Sequence, residues 1–422
     1  MSRIIFEGLK KEKKNFQINK TWKGKKMLNE KITSAEWLSK LPRYPFVSLR
    51  EKKKALKAKG IKVIDFSIGD PTAPTPDFIL ESAIEGMKKN QRAGYPENSG
   101  LPEFKSAVVK WMKSRFGVDL NPDTEVFTSL GAKEAVFAFP NSIKGEYVLV
   151  PTPGYPPYNS GELAANKKVH LMPLLEKNKF LPDLSAIPEE VAKNASIMWI
   201  NYPNNPTTAL APDSFYKDAI EFCKKYGIVL ASDECYSEMY TNEKPKSALN
   251  FAKEGVIVFQ SLSKRSNMTG WRVGFMAGDP DIIKIFLSAK ENMDSGCANF
   301  VQYAAAKAYE DEEHVKEMRA EYDRKRKLIM DATKKAGLPK GYAEGTFYIW
   351  QRIPEGIKSV EFAEKLLEEE YAIVVTPGPA LAITDENGNN AGEGFVRFAL
   401  VPTEEDTAEA AEKIIKAIKS LK

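Results

Sequence analysis

The stretch SLSKRSNMTGWRVG, residues 261–274, follows almost at once on the apolar run VIVF at 256–259. A run that short, rich in β-branched residues and without polar alternation, is what a parallel strand buried on both faces requires. The same signature occurs upstream as YVLV at 147–150, IMWI at 197–200 and IVLA at 228–231. Between the last two, DSFYKDAIEFCKKYG at 213–227 is amphipathic at helical spacing and closes on Gly227, a helix C-cap. This alternation predicts an α/β fold around a mostly parallel sheet. Downstream, 303–336 reads as one long helical pattern dense in Glu, Lys and Arg, and 347–401 mixes short strands with a helix at 359–370. That is a second, smaller α+β unit, which the segment 40–70 is expected to join.

Composition sets the outer bounds. At ~150 residues per domain, 422 residues allow two or three folding units and a large core. Basic residues exceed acidic ones by only five, so no global positive field points to nucleic acid; a small molecule is the expected partner. Cys223, Cys235 and Cys297 form no Cys-x-x-Cys pair, which argues against a disulfide framework or thiolate zinc site and for a reducing, cytoplasmic compartment. The two histidines, His170 and His314, exclude His-x-x-x-His metal motifs. The uncharged stretch 195–212 contains three prolines and three asparagines and cannot be a membrane-spanning helix. Residues 1–26, with eight lysines and one arginine, read as a solvated peripheral extension.

Chemistry concentrates where those short strands end, which is where open α/β sheets bind ligands. In 261–274, Lys264 stands just past a strand between serines, with Arg272 in a Gly-rich turn. The pair can join a nucleophilic amine to a phosphate anchor, although an ordinary surface loop offers the same charges. In ASDECY at 231–236, Asp233 suits a metal ligand, a helix cap or the partner of a protonated ring nitrogen, and Tyr236 can share its pocket. NYPNNPTT at 201–208 imposes a fixed turn and offers the Asn205 amide. TSLGAKEAV at 128–136 opens a helix on Gly131, Ala132 and Lys133, presenting free N–H groups to an anion or simply starting a helix. In PTPGYPPY at 151–158, Tyr155 is either a core aromatic or a rigid stacking face for a planar ligand. In FVRFAL at 395–400, Arg397 lies in an otherwise apolar strand and needs a carboxylate partner.

Taken together, Tyr155, Asn205, Asp233, Lys264, Arg272 and Arg397, in this order, resemble the class I/II aminotransferases of the fold-type-one pyridoxal-phosphate enzymes. The resemblance spans about 40–405, and 261–274 is similar to that family's lysine signature. It implies an aspartate-aminotransferase-like α/β fold: a large domain at 73–302 with a mostly parallel seven-stranded sheet, a small domain at 303–422, and an N-terminal arm at 27–72 that contributes to the small domain. It further implies pyridoxal 5'-phosphate as cofactor, amino-acid and 2-oxo-acid substrates, and a homodimer. Residue by residue, Lys264 would bond the cofactor and carry the substrate's proton. Asp233 would pair with its ring nitrogen, Tyr236 and Asn205 would hydrogen-bond its phenolic oxygen, and Tyr155 would stack on its ring. Gly131, Ala132, Lys133, Ser261, Ser263 and Arg272 would hold its phosphate, as would Tyr95 of GYPENSGLPEF from the second subunit. Arg397 would clamp the substrate's α-carboxylate, with Gly69 letting backbone approach it.

Two departures stand out. Thr208 takes the place where the family's Asn-Pro-Thr-Gly turn usually has glycine, and 291–303, ENMDSGCANFVQY, holds no arginine for a dicarboxylate side chain. The second departure counts against an aspartate aminotransferase. GYPENSGLPEF and TSLGAKEAVFAFPNSI look like the subgroup acting on diaminopimelate or its N-succinyl derivative in lysine biosynthesis, with Glu97 expected to meet the distal end of the substrate. A fold-type-one lyase would share every cofactor residue. No strand-linked G-x-G-x-x-G supports a dinucleotide oxidoreductase, and a regulator with a fused DNA-binding domain, which needs roughly 60–70 residues where only a short Lys-rich region precedes the domain, is the least expected reading.

Overall fold

Residues 33–41, 47–92 and 94–421 are described by the computed structural model; the Lys-rich extension at 1–26 lies outside them. The chain divides into two units. The first, Met1–Lys40, contributes the short helix Glu36–Lys40, and the second is Leu41–Lys422. The strands of the second unit are β1 Ile64–Asp65, β2 Val126–Ser129, β3 Tyr147–Thr152, β4 Lys168–Pro173, β5 Ala195–Asn201, β6 Val229–Asp233, β7 Val256–Ser261 and β8 Gly274–Gly278. They continue with β9 Gly341–Tyr342, β10 Tyr348–Arg352, β11 Ile373–Val374, β12 Thr376–Pro377 and β13 Phe395–Ala399.

Seven of these form one sheet in the order β2-β8-β7-β6-β5-β3-β4, with β8 antiparallel to both neighbours and the remaining pairs parallel. The expected mostly parallel seven-stranded sheet is therefore present. Its strands carry apolar residues on both faces: Ile197 and Trp199 of β5 with Ile257 and Phe259 of β7 enter one core, while Met198, Ile200, Val256 and Val258 enter another. Burial on both sides is why these runs do not alternate with polar residues.

Direction matters most for the site. Both β2 and β7 run antiparallel to β8, so β2, β7, β6, β5 and β3 all end on the same edge of the sheet. The segments after those ends carry Gly131, Lys264, the residues following Asp233, Asn205 and Tyr155, while Arg272 precedes the start of β8.

A third core joins Leu49, Leu56, Ile64 and Phe66 to residues between Val315 and Ile418. It contains the sheet β12-β13-β10-β9 and the parallel pair β1-β11. The 303–336 pattern is two helices rather than one, Asn299–Glu310 and Glu313–Lys335. The break falls where the Asp311 carboxylate accepts the backbone N–H of His314 at 3.0 Å, a competitor to continued helix. The expected helix at 359–370 is shorter, Ser359–Leu366.

Candidate active site

One cavity of about 930 Å³ opens along that edge and reaches across to β13. Its wall includes Gly69, Ala132, Lys133, Tyr155, Asn205, Asp233, Tyr236, Ser261, Ser263, Lys264, Arg272 and Arg397, nearly every residue singled out in the sequence.

Lys264 sits on the single turn Leu262–Arg265 that caps β7, with the Ser261 hydroxyl accepting the Ser263 N–H at 3.1 Å. Its Nζ donates to the Gly69 carbonyl at 2.5 Å. Burial pushes this amine down to about 8; Asp70 opposes the shift, and the positive charges of Arg397 and Arg272 add to it. An amine so placed gives up its proton more readily than an ordinary lysine and is suited to act as a nucleophile.

Asp233 ends β6 and is 4% exposed. Its Oδ2 accepts the Tyr158 phenol at 2.7 Å and its Oδ1 the Cys235 N–H at 3.1 Å. Burial raises its carboxyl above the usual range, and these two donors work in the other direction. Asn201, the last residue of β5, links neighbouring loops by donating to the Asp233 carbonyl at 2.8 Å and accepting the Asn205 N–H at 2.9 Å.

Arg397 projects from β13 and is 6% exposed. It donates to Asn205 Oδ1 and to the Ser67 carbonyl, both at 2.8 Å, and lies over the Tyr348 ring; its Nε is buried with no partner among the described residues. The carboxylate such an arginine needs is not supplied by its neighbours. At the other end, Arg272 adopts a left-handed φ of 55°, and its guanidinium packs so tightly on Gly131 that a Cβ there would lie 2.6 Å from Nη2. Gly131 itself has φ 75° and opens the helix Ala132–Ala138, while the buried Ser129 hydroxyl close by has no partner among the described residues.

Gly69 has a reason beyond the one expected of it. A Cβ at this position would fall 1.9 Å from the Tyr348 hydroxyl, which is itself 2.9 Å from the Tyr236 hydroxyl. Thr208, the departure in the Asn-Pro-Thr-Gly turn, has φ 66°, the left-handed conformation that glycine adopts without cost. Its amide donates to the Asn204 carbonyl at 2.8 Å, so the turn closes as it would around glycine.

Tyr95 and Glu97 do not line the cavity. Tyr95 is 90% exposed and Glu97 is exposed beside it. The sequence reading also passed over Tyr158, Tyr348 and Ser67. Tyr158 lies inside the quoted PTPGYPPY motif, but spacing alone cannot say which of its tyrosines meets an aspartate from another strand.

Comparison with known proteins points one way. The family model for aminotransferase class I and II matches residues 61–414. The LL-diaminopimelate aminotransferase of Aquifex aeolicus is 43% identical over 384 residues, 89% of this chain and 97% of that protein. Among solved structures, an aminotransferase from Neisseria meningitidis superposes with TM-score 0.83 at 32% identity, covering 90% of this chain and 99% of its own. A probable N-succinyldiaminopimelate aminotransferase from Thermus thermophilus gives TM-score 0.81 at 30% identity, covering 88% and 99%.

Proposed function

The chain belongs to the class I and II aminotransferases, a pyridoxal-phosphate-dependent family, and from that premise we propose that it transfers an amino group between LL-diaminopimelate and 2-oxoglutarate. The observation that carries the substrate is the near-full-length similarity to LL-diaminopimelate aminotransferases.

The donor set suits pyridoxal 5'-phosphate. A buried amine at Lys264, a buried carboxyl at Asp233 and the Arg272 guanidinium against Gly131 match its aldehyde, ring nitrogen and phosphate respectively. Ser261, Ser263, Ala132 and Lys133 would complete the phosphate cradle, Tyr155 would face the ring, and Tyr236 and Asn205 would reach the phenolic oxygen. When bound, the cofactor supplies an electron-accepting ring for the charge left at the substrate's α-carbon.

The chain's own residues do the rest. Arg397 binds the α-carboxylate in a two-pronged grip, with Tyr348 beneath its guanidinium. That grip would orient the Cα–H bond toward Lys264, whose amine would take the proton from Cα and deliver it to the carbon of the cofactor's aldehyde group. Asp233, held from behind by Tyr158, keeps a proton at the ring nitrogen. The rings of Tyr155, Tyr236 and Tyr348 line the cavity around these groups.

The working form is proposed to be a homodimer in a reducing cytoplasm. Supporting it, Leu80, Ile84 and Met87 form an exposed apolar stripe on the helix Asp77–Lys89, with Tyr95 and Phe300 also exposed. A second copy would bring Tyr95 to the phosphate and Glu97 to the distal ammonium. The small domain is proposed to comprise 303–422 with the arm 27–72, around the large domain 73–302. Steady-state kcat/KM for LL-diaminopimelate, N-succinyldiaminopimelate, aspartate and glutamate tests the substrate. LL-diaminopimelate is expected to lead; aspartate ahead by tenfold would replace the reading with an aspartate aminotransferase, and elimination without amino transfer would replace it with a lyase.

A further inference from the structure

Resting on the aminotransferase reading of the cavity, we propose that Arg50 receives the second carboxylate of an acidic amino-acid substrate. The wall carries six cationic side chains, Arg50, Lys53, Lys133, Lys264, Arg272 and Arg397, against two carboxylates, Asp70 and Asp233. Four of the cations are committed. Lys264 donates to Gly69, Arg272 to the carbonyls of Thr269 and Leu130, Arg397 to Asn205 and Ser67, and Lys53 is ion-paired with Asp65. Lys133 opens the helix Ala132–Ala138, at the end of the cavity where Arg272 packs on Gly131. Arg50 alone is a cation without a hydrogen bond or ion pair among the described residues at the opposite end.

Its place at that end follows from a chain of contacts. Arg50 and Lys53 share one face of the helix Val47–Ala58, being three residues apart. Buried Leu49 and Leu56 fix that helix on the small core, and Lys53 ties it to Asp65. Asp65 accepts the Ser67 N–H at 2.9 Å, and the Ser67 carbonyl accepts Arg397. The α-carboxylate arginine and Arg50 therefore stand on one wall, linked through Ser67 and Asp65. Lys53 cannot serve instead: although burial works against it, the bonds from Lys53 and Ser67 hold the Asp65 carboxyl below its usual range, which keeps that pair charged and closed.

A guanidinium exposed to the cavity and without a hydrogen-bond or ion-pair partner among the described residues is suited to a bidentate carboxylate contact. Glutamate, 2-oxoglutarate and diaminopimelate all carry a second carboxylate, so one residue on this wall can serve both halves of the reaction. It also answers the absence of an arginine in 291–303, since the charge comes from the N-terminal helix of the same chain.

The test uses holoenzyme and two unreactive probes of equal chain length, pimelate with two carboxylates and heptanoate with one. Calorimetry is expected to show Arg50→Gln weakening pimelate tenfold or more, collapsing its preference over heptanoate, with Arg50→Lys intermediate. The kcat/KM ratio of glutamate to alanine should fall in parallel, through KM rather than kcat. Equal weakening of both probes, or unchanged pimelate affinity, overturns the proposal. Should the wild type reject diaminopimelate while Arg50→Gln still loses glutamate selectively, the substrate reading fails and Arg50 keeps its role.

Discussion

The phenol of Tyr158 donates a 2.7 Å hydrogen bond to Oδ2 of Asp233, and the ring behind it stacks on Trp199 at 5.2 Å. A fully buried tyrosine thus supports the carboxyl that faces the cavity, and a charge-assisted bond of this kind contributes roughly 1.5–3 kcal/mol. Tyr158→Phe keeps the stacking and removes only the donor. Without it the Asp233 carboxyl climbs further above its usual range and holds a ring nitrogen less well. Cofactor affinity and kcat should each fall by about tenfold, on the scale of one lost charged hydrogen bond. Dialysis followed by absorbance of the retained cofactor measures the first; retention equal to wild type would remove Tyr158 from the machinery.

A pH dependence follows from Lys264. Its amine titrates at about 8 in the fold against an ordinary 10.5, so the folded state disfavours the charged form. The resulting destabilisation of cofactor-free protein is fully present below pH 8 and disappears as pH rises toward 10.5. Lys264→Met should stabilise cofactor-free protein by ~1–3 kcal/mol at pH 7, the lost bond to Gly69 offsetting part of the gain. That advantage should shrink as pH rises through the window, read by urea unfolding at several pH values. The same variant should lack transamination. A constant difference across pH would mean the amine is not perturbed.

Gly69→Ala puts a methyl group 1.9 Å from the Tyr348 hydroxyl. Either Tyr348 swings away and gives up Tyr236, or the segment carrying the acceptor of Lys264 retreats. Overpacking of this sort costs ~1–3 kcal/mol, and a misplaced acceptor lowers kcat more than it lowers the melting temperature. A crystal structure of the variant with both Tyr348 and the backbone at position 69 unmoved would contradict this.

Thr208→Gly has the opposite sign. The threonine holds φ 66°, strained for a β-branched residue, and its hydroxyl accepts only a long 3.3 Å contact from the Glu344 N–H. Relief of ~1–2 kcal/mol exceeds the added flexibility of glycine in the unfolded chain, for a net gain of up to about 1 kcal/mol. Chemical denaturation decides it: a less stable variant would show that the Glu344 contact outweighs the strain.

The sequence revealed the residues that stand directly after buried strands, because a short apolar run followed by Lys264 or Asn205 is a local pattern with a defined place on a sheet. Residues whose meaning depends on a partner far along the chain stayed hidden. Tyr158 matters because it meets Asp233, and Tyr348 because it meets Gly69 and Tyr236, neither of which spacing can express. Arg50 is hidden for another reason. In VSLREKKKALKA its charge looks like any other on a solvated helix face, and only the cavity distinguishes it. The helix break at 311–312 rests on the Asp311 carboxylate accepting the His314 N–H, a local side-chain bond that the spacing of apolar residues does not register.

Asp233 ends β6, and Asn205 and Lys264 follow the ends of its two neighbours in the sheet, β5 and β7. Neighbouring strands are held ~4.8 Å apart by backbone hydrogen bonds whatever their side chains. The lateral spacing of these groups is therefore set by a ruler of peptide geometry rather than by the loops that bear them. Helices between the strands can lengthen, shorten or change surface without moving the marks on that ruler, so remodelling the outer helices for stability should leave the distances between the reacting groups intact.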